Sequence, residues 1–243
     1  MGGHIQLLQP DRWLPLPAIA VAILAICLVA RRWPASRIAV ASRWLAIVVV
    51  AAEVSWWGSA LLQGIWVPRY NLPLHLCEAG AFVLAVALWT RRQVFVEISY
   101  FWGVGGTLPG LFTPVLPAHF PRFDYWQYYF EHGCIVLGAF WLVLVMRLGP
   151  RRGAVLRVSG ITLLYACFVA VADYFTGGNY LFLRQLPATH SPLDLMGPWP
   201  WYLVTCAIVG VAVFSALYLP FRSSSASLGN VGPASSLPQE SSA

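Results

Sequence analysis

Cys77 and His132 are the residues of this chain best equipped for chemistry. A thiolate is a strong nucleophile and an imidazole a general base, and such a pair makes and breaks acyl thioesters. Cys77 sits in NLPLHLCEAG and His132 in FDYWQYYFEHGC. If both runs are helices entered from the same side, Cys77 lies roughly 8 Å and His132 roughly 12 Å from the outer end, at 1.5 Å per residue. Pro73 suits a first helical turn, which predicts a helix start about there. Cys77 then falls in about the first turn, where unpaired N–H groups and the positive end of the dipole favour an anion and supply oxyanion donors. His75 is two residues away, roughly 200° round a helix, so the partner of the thiol is expected from another segment.

Further polar groups gather at the same level. His75 and Glu78 are three apart and share a face. Asp124, Gln127 or Tyr128, and Glu131 share a face of the other helix, and Asp173 reaches a similar depth from its own segment. These are the candidates to orient the histidine or to bind a head group. Arg69, Arg122 and Arg184 are the candidates for phosphate, which a guanidinium holds bidentately. Glu53 falls midway along an apolar run with no local partner and is expected to point inward. Glu97 is expected to pair with Arg91 or Arg92. Cys27, Cys167 and Cys206 read as small buried hydrophobes. There is no CxxC motif, and a Cys77–Cys134 disulfide is disfavoured because Cys134 lies deeper.

The elements that carry these groups are seven apolar runs: Leu14–Ala30, Trp44–Val67, Leu72–Thr90, Phe95–Leu116, Tyr125–Met146, Val158–Phe175 and Trp199–Leu219. About twenty apolar residues at 1.5 Å rise cover a hydrocarbon layer of roughly 30 Å. Only helices and closed barrels satisfy the backbone in lipid, and strand-like alternation is missing, so helices are predicted. The 243 residues are 59% hydrophobic and 10% charged, with a mean hydropathy of +0.68, a balance foreign to soluble domains. The fold class expected is an all-α, polytopic bundle of seven transmembrane helices over residues 14–221. A short outer N-terminus, 1–13, precedes it, and a Ser-, Gly- and Pro-rich tail, 222–243, reads as disordered. A cleaved signal peptide is not expected, because the first run lacks a basic segment before it.

The net charge of +6 is carried by arginine without lysine. Eleven arginines follow runs one, three, five and seven, and four (Arg12, Arg69, Arg122 and Arg184) fall on the other side. The positive-inside rule places the N-terminus outside and the C-terminus in the cytoplasm, in a bacterial cytoplasmic membrane. Arginines placed between spans do not read as a nucleic-acid surface. Gly106 and Gly110 form a small-xxx-small pair and Pro109 predicts a kink in the fourth run. The outer loop Thr176–Pro198 carries Tyr180, Leu181, Phe182 and Leu183 and is expected to fold back on the bundle as a lid.

NLPLHLC, YFWGVGGTLPGLFTP, FPRFDYWQYYFEHG and NYLFLRQLP with DLMGPWPWY, in that order from about Trp56 to Phe221, resemble the YwaF-like family of bacterial integral membrane proteins. That family is similar to a eukaryotic transmembrane family that uses a Cys and a His to move fatty acyl groups between phospholipids. Carried over by position, the resemblance puts the Cys on Cys77 and the His on His132. A more distant likeness is to androgen-induced-protein hydrolases of fatty-acid esters, which use Thr and His.

The first functional expectation is therefore acyl transfer or acyl-ester hydrolysis on a lipid near the outer leaflet, without cofactor or metal, and with membrane lipids as partners. The alternative is a small-molecule or ion transporter, with Glu53, Asp173 and the broken fourth run lining a path. A metal-dependent seven-span lipid hydrolase ranks lower, because His75 and His132 are the only intramembrane histidines. A non-catalytic scaffold remains beside these.

Overall fold

The computed structural model describes residues 10–114, 119–187 and 191–222, and the described residues are helical with no strand. Pro117, His190 and the tail from 223 onward lie outside them. After a short turn at Pro10–Trp13, α1 runs Pro15–Ala30 and opens on a proline, whose missing N–H is no loss in a first turn. Next, α2 is the long helix Ala35–Leu62. It starts directly after Pro34, well before the expected Trp44. Arg37 stacks on Trp33 at 5.1 Å and Arg43 on Trp89 at 5.7 Å, so the arginines that gave this stretch the look of a loop ride on a helix face. It ends short of Val67, at a turn where Gly64 takes a left-handed φ of 67°.

The Cys77 helix, α3, is Leu76–Thr90, with His75 as its N-cap. Pro73 therefore lies in the extended approach and not in the first turn. The fourth run is one rod in three parts: α4 (Gln93–Tyr100), a π-helical segment (Phe101–Thr107) and α5 (Leu108–Phe112). The expected kink at Pro109 is thus accompanied by a wider helical turn upstream of it. α6 is Phe123–Phe140, continued as π-helix through Trp141–Val145. α7 is Ala154–Thr176 and α8 is Trp201–Tyr218, with a tight final turn at Leu219–Phe221.

Four of these helices are long and apolar enough to cross a membrane: Ala35–Leu62, Phe123–Val145, Ala154–Thr176 and Trp201–Phe221. Pro15–Ala30 and Leu76–Thr90 are apolar but shorter, and the Gln93–Phe112 rod is interrupted. The seven runs of the sequence are therefore seven helical stretches, of which length and composition mark four as spans. The difference arises because 15 or 16 residues reach only about 22–24 Å at 1.5 Å per residue.

α3 sits at the centre, packed on α2, α4 and α6, while α7 and α8 pack on each other and α8 also meets the π-helical part of the fourth rod. Glycines set how close these helices come. A Cβ on Gly106 would meet Leu76 Cδ2 at 2.6 Å, one on Gly103 would meet Ala139 Cβ at 2.8 Å, and one on Gly138 would meet Leu84 Cδ2 at 2.4 Å. Gly138→Val is expected to lower stability by about 1–3 kcal/mol through overpacking against buried Leu84. Thermal unfolding in detergent reads this, and an unchanged midpoint rejects the close approach of α3 and α6.

Polar side chains cross-link the apolar bundle. Trp141 Nε1–H donates to Ser42 Oγ at 2.9 Å and Trp102 Nε1–H to Thr162 Oγ1 at 2.8 Å. Glu97 is fully buried and is held by Arg157 Nε at 2.8 Å and Arg151 Nε at 3.2 Å. This corrects the expected pairing with Arg91 or Arg92: Arg91 caps α3 in a left-handed turn and Arg92 precedes α4. Cys27 is buried as expected, but Cys167 is exposed on α7 and Cys206 is half-buried, so neither is a core residue of this chain. All five cysteines are free thiols.

Candidate functional site

Cys77 is the second residue of α3, half-buried, with the N–H groups of a first turn beside it. The turn is fixed from three directions. Glu78 Oε2 accepts the His75 N–H at 3.1 Å, Tyr165 Oη on α7 donates to Leu74 O at 3.0 Å, and Leu76 presses into the gap left by Gly106. His75 itself lies between the rings of Tyr180 and Phe182, at centroid distances of 5.3 and 5.4 Å. It is a packed cap residue and points at the loop aromatics.

His132 is 6% exposed on α6. Its ring stacks on Tyr128, one turn earlier, with centroids 3.9 Å apart, and its Nδ1 is 3.0 Å from Tyr128 O. A carbonyl oxygen only accepts, so Nδ1 carries the proton in that bond and Nε2 keeps its lone pair. Tyr128 Oη in turn donates to Gly110 O at 2.8 Å. That carbonyl is an orphan by sequence: its helical partner would be the N–H of residue 114, which is a proline. Gly110 also keeps space open beside the imidazole, since a Cβ there would lie 3.8 Å from Nε2.

Cys77 and His132 occupy the same layer. Leu84 and Gly138 touch, and counting back at 1.5 Å per residue puts Cys77 about 10 Å and His132 about 9 Å above that contact. Tyr128 stacks on His132 and is also within electrostatic range of Cys77. Three carboxyl groups complete the layer, those of Glu53, Glu78 and Glu131, each within electrostatic range of Cys77. Glu131 Oε2 accepts from Gln127 Nε2 at 2.6 Å, and Gln127 Nε2 also donates to Ala52 O at 3.1 Å. Glu53, fully buried on α2, faces Glu131 carboxyl to carboxyl. Apart from each other and the Gln127 amide on Glu131, these two carboxyls meet no hydrogen-bonding side chain among the described residues.

The remaining expected residues divide. Asp124 sits in the first turn of α6 at the rim, 3.7 Å from Arg122, whose side chain is largely exposed. Arg69 is exposed and stacks on Tyr70. Asp173 is fully buried, and its Oδ1 accepts the Tyr180 N–H at 2.9 Å. Arg184 donates to the carbonyls of Asp173 and Gly178 at 3.5 and 3.4 Å. Asp173 and Arg184 thus anchor the loop after α7. Glu53, Gln127, Tyr128 and Gly110 also belong to the layer. The spacing put Gln127 or Tyr128 on the face of Glu131 and marked Glu53 as a charge in mid-run without a local partner, whereas nothing in the sequence tied Gly110 to the imidazole.

The loop after α7 does fold back on the bundle. Tyr180 is buried, its hydroxyl donating to Pro68 O at 2.7 Å and accepting the Leu72 N–H at 2.8 Å, so it clamps the approach to α3. Tyr202 Oη donates to Phe182 O from α8. Burial pushes the Tyr180 phenol up to about 12, from about 10 in an unfolded chain. The folded state therefore holds the proton longer, and the stability this gives is present below pH 10 and lost as pH rises toward 12. The loop is expected to become protease-sensitive across that window, and Tyr180→Phe to show the same sensitivity at neutral pH. Limited proteolysis of both proteins measures it. Equal resistance of the variant counts against the clamp.

Among known proteins, a chain of Treponema pallidum (strain Nichols) described as an uncharacterized protein is 29% identical over 158 residues, which is 64% of each chain. The match thus spans a little under two thirds of that relative. No solved structure matches. The pattern of the TMEM164 family matches residues 7–218. The chain belongs to the TMEM164 family, a family of transmembrane proteins.

Proposed function

We propose that the protein is a lipid acyltransferase or acyl-ester hydrolase of the bacterial cytoplasmic membrane, with Cys77 as nucleophile and His132 as base. All seven helical stretches cross the bilayer in this reading, with the N-terminus outside and the C-terminus in the cytoplasm. The observation that carries it is the His132 tautomer. Its Nδ1–H is committed to Tyr128 O, and its Nε2 lone pair is free at the level of a thiol in the first turn of α3.

The step balances as follows. His132 Nε2 takes the Cys77 proton, and Sγ attacks the ester carbonyl of a lipid. The oxyanion meets N–H groups of the α3 first turn. His132 returns the proton to the departing alkoxide oxygen, leaving an acyl thioester on Cys77. A lysolipid hydroxyl or a water then attacks the thioester, giving its proton to Nε2, and that proton returns to sulfur as the C–S bond breaks. Rim arginines Arg69 and Arg122 bind the phosphate of the lipid in this reading.

The test is purified protein in vesicles of defined phospholipid and lysophospholipid, with acyl redistribution followed by mass spectrometry. Acyl movement that needs Cys77 supports the proposal, and a silent wild type removes it. The buried, facing carboxyls of Glu53 and Glu131 favour transport of a proton or small cation as the second reading. Flux across the same vesicles, abolished by Glu53→Gln and indifferent to Cys77→Ala, brings that reading to the front. Topology has its own check: a C-terminal reporter active only outside the cytoplasm reverses the orientation.

A further inference from the structure

An apolar groove of about 280 Å³ runs between α1, α5 and α6 and reaches the π-helical end of α6. Its wall on α6 is the stripe Val136, Phe140 and Leu144, which continues at four-residue spacing from His132 itself. Leu108 and Leu111 flank Gly110, the residue whose missing side chain leaves room at Nε2. On α1, Ile19 contacts the helix at Gly133, beside His132, and Cys27 lines the far end. The α6 wall of the groove therefore starts at Val136, one helical turn from the imidazole, and leads away from it along the bundle.

Building on the acyl-transfer reading, we propose that this groove holds one acyl chain of a membrane phospholipid, extended, with its ester carbonyl at the His132 end. On α1 the lining runs eleven residues, from Leu16 to Cys27, about 16 Å at 1.5 Å per residue. Carbon–carbon bonds of about 1.5 Å advance an extended chain by roughly 1.25 Å per methylene, so about thirteen methylenes fit. The other occupants fit less well. An apolar recess does not hold water. A helix of a second copy is about 10–12 Å across with its side chains and does not enter a recess of this volume. Phospholipid chains are the solvent of this surface in a bilayer, so they are the occupant in constant supply. The groove also acts as a ruler, since a chain that reaches Cys27 and Leu144 leaves its carbonyl at the level of His132.

The test uses phosphatidylcholine with a diazirine either near the ester or at the far end of a fourteen-carbon chain, photolysed in membranes of wild type and of Cys77→Ala. Far-end label is expected on Leu24–Cys27 or Leu144, and near-ester label on Ile19 or Leu108–Leu111, in both proteins, because capture needs no turnover. Ala20→Trp, at the groove wall, is expected to cut far-end capture about ten-fold and to shift transferred chains toward shorter ones. Ala25→Trp, on the lipid-facing side of α1, controls for the added ring and should change neither. Label spread evenly over the lipid-facing helices, or capture of the free fatty acid but not of the phospholipid, overturns the groove assignment. Mapped capture in a wild type that moves no acyl group keeps the groove as a lipid site and removes the catalytic reading instead.

Discussion

Cys77→Ala is expected to lower acyl transfer by roughly three orders of magnitude or more, while insertion and thermal stability stay near wild type. The nucleophile forms the bond on which both half-reactions depend, so its removal leaves no thioester to resolve. His132→Ala should cost nearly as much. It takes away the base, and a ring stacked 3.9 Å from Tyr128. The double variant should be little worse than either single, because a pair that acts as a unit is not additive. His132→Gln separates chemistry from packing, since an amide fills much of the space and has no basic lone pair to take the proton. Cys77→Ser keeps a hydrogen-bonding group of similar size but a far weaker nucleophile, and a trace of activity is expected. Cys27 lines the proposed acyl groove and is a poor control, whereas Cys167 is exposed on α7, so Cys167→Ala should retain full activity. Lipid analysis of vesicles carrying each variant gives the readout. Wild-type activity in Cys77→Ala sinks the mechanism, and additive losses in the double variant sink the pairing.

The layer on which this rests was legible in part. One-dimensional arithmetic at 1.5 Å per residue placed Cys77 and His132 at comparable depths because both follow recognisable helix entries. The entry itself was misplaced by a few residues, since Pro73 suits an extended approach as well as a first turn, and the capping role of His75 with Glu78 settled it. The start of α2 was hidden by Arg37 and Arg43, which read as loop charges until Trp33 and Trp89 were found beneath them. Glu53 showed as an isolated charge, but its partner Glu131 lies on α6, and no periodicity connects them. The π-helical turns at Phe101–Thr107 and Trp141–Val145 leave no composition signature. That the loop after α7 folds back on the bundle was legible from its apolar residues alone. That Asp173 and Arg184 anchor this loop, rather than serve the histidine, depends on hydrogen bonds to backbone groups that side-chain spacing cannot show.

Arg157→Leu is expected to destabilise the protein by roughly 2 kcal/mol, the cost of leaving a buried carboxylate oxygen without its donor. Glu97 is fully buried near the start of α4, and Arg157 supplies both its shortest bond, Nε to Oε2 at 2.8 Å, and a second from Nη2 to Oε1 at 3.2 Å. Without the guanidinium, Oε2 loses its donor. The carboxylate keeps Arg151 N and Nε and Gln93 Nε2, all on Oε1. The reverse substitution is expected to cost less. In Glu97→Leu the side chains of Arg151 and Arg157, 59% and 35% exposed, can turn to water, and leucine suits the apolar site. The asymmetry is the point: a stranded buried acceptor costs its desolvation, whereas a released surface cation recovers its hydration. Glu97 ties α4 to the α6–α7 connection over 54 and 60 residues of sequence, so Arg157→Leu should also loosen that connection, seen as faster amide exchange at residues 150–156. Thermal unfolding of both variants in the same detergent decides the matter. If Glu97→Leu proves the more damaging of the two, the cluster stabilises through its cations and the account given for Glu97 is wrong.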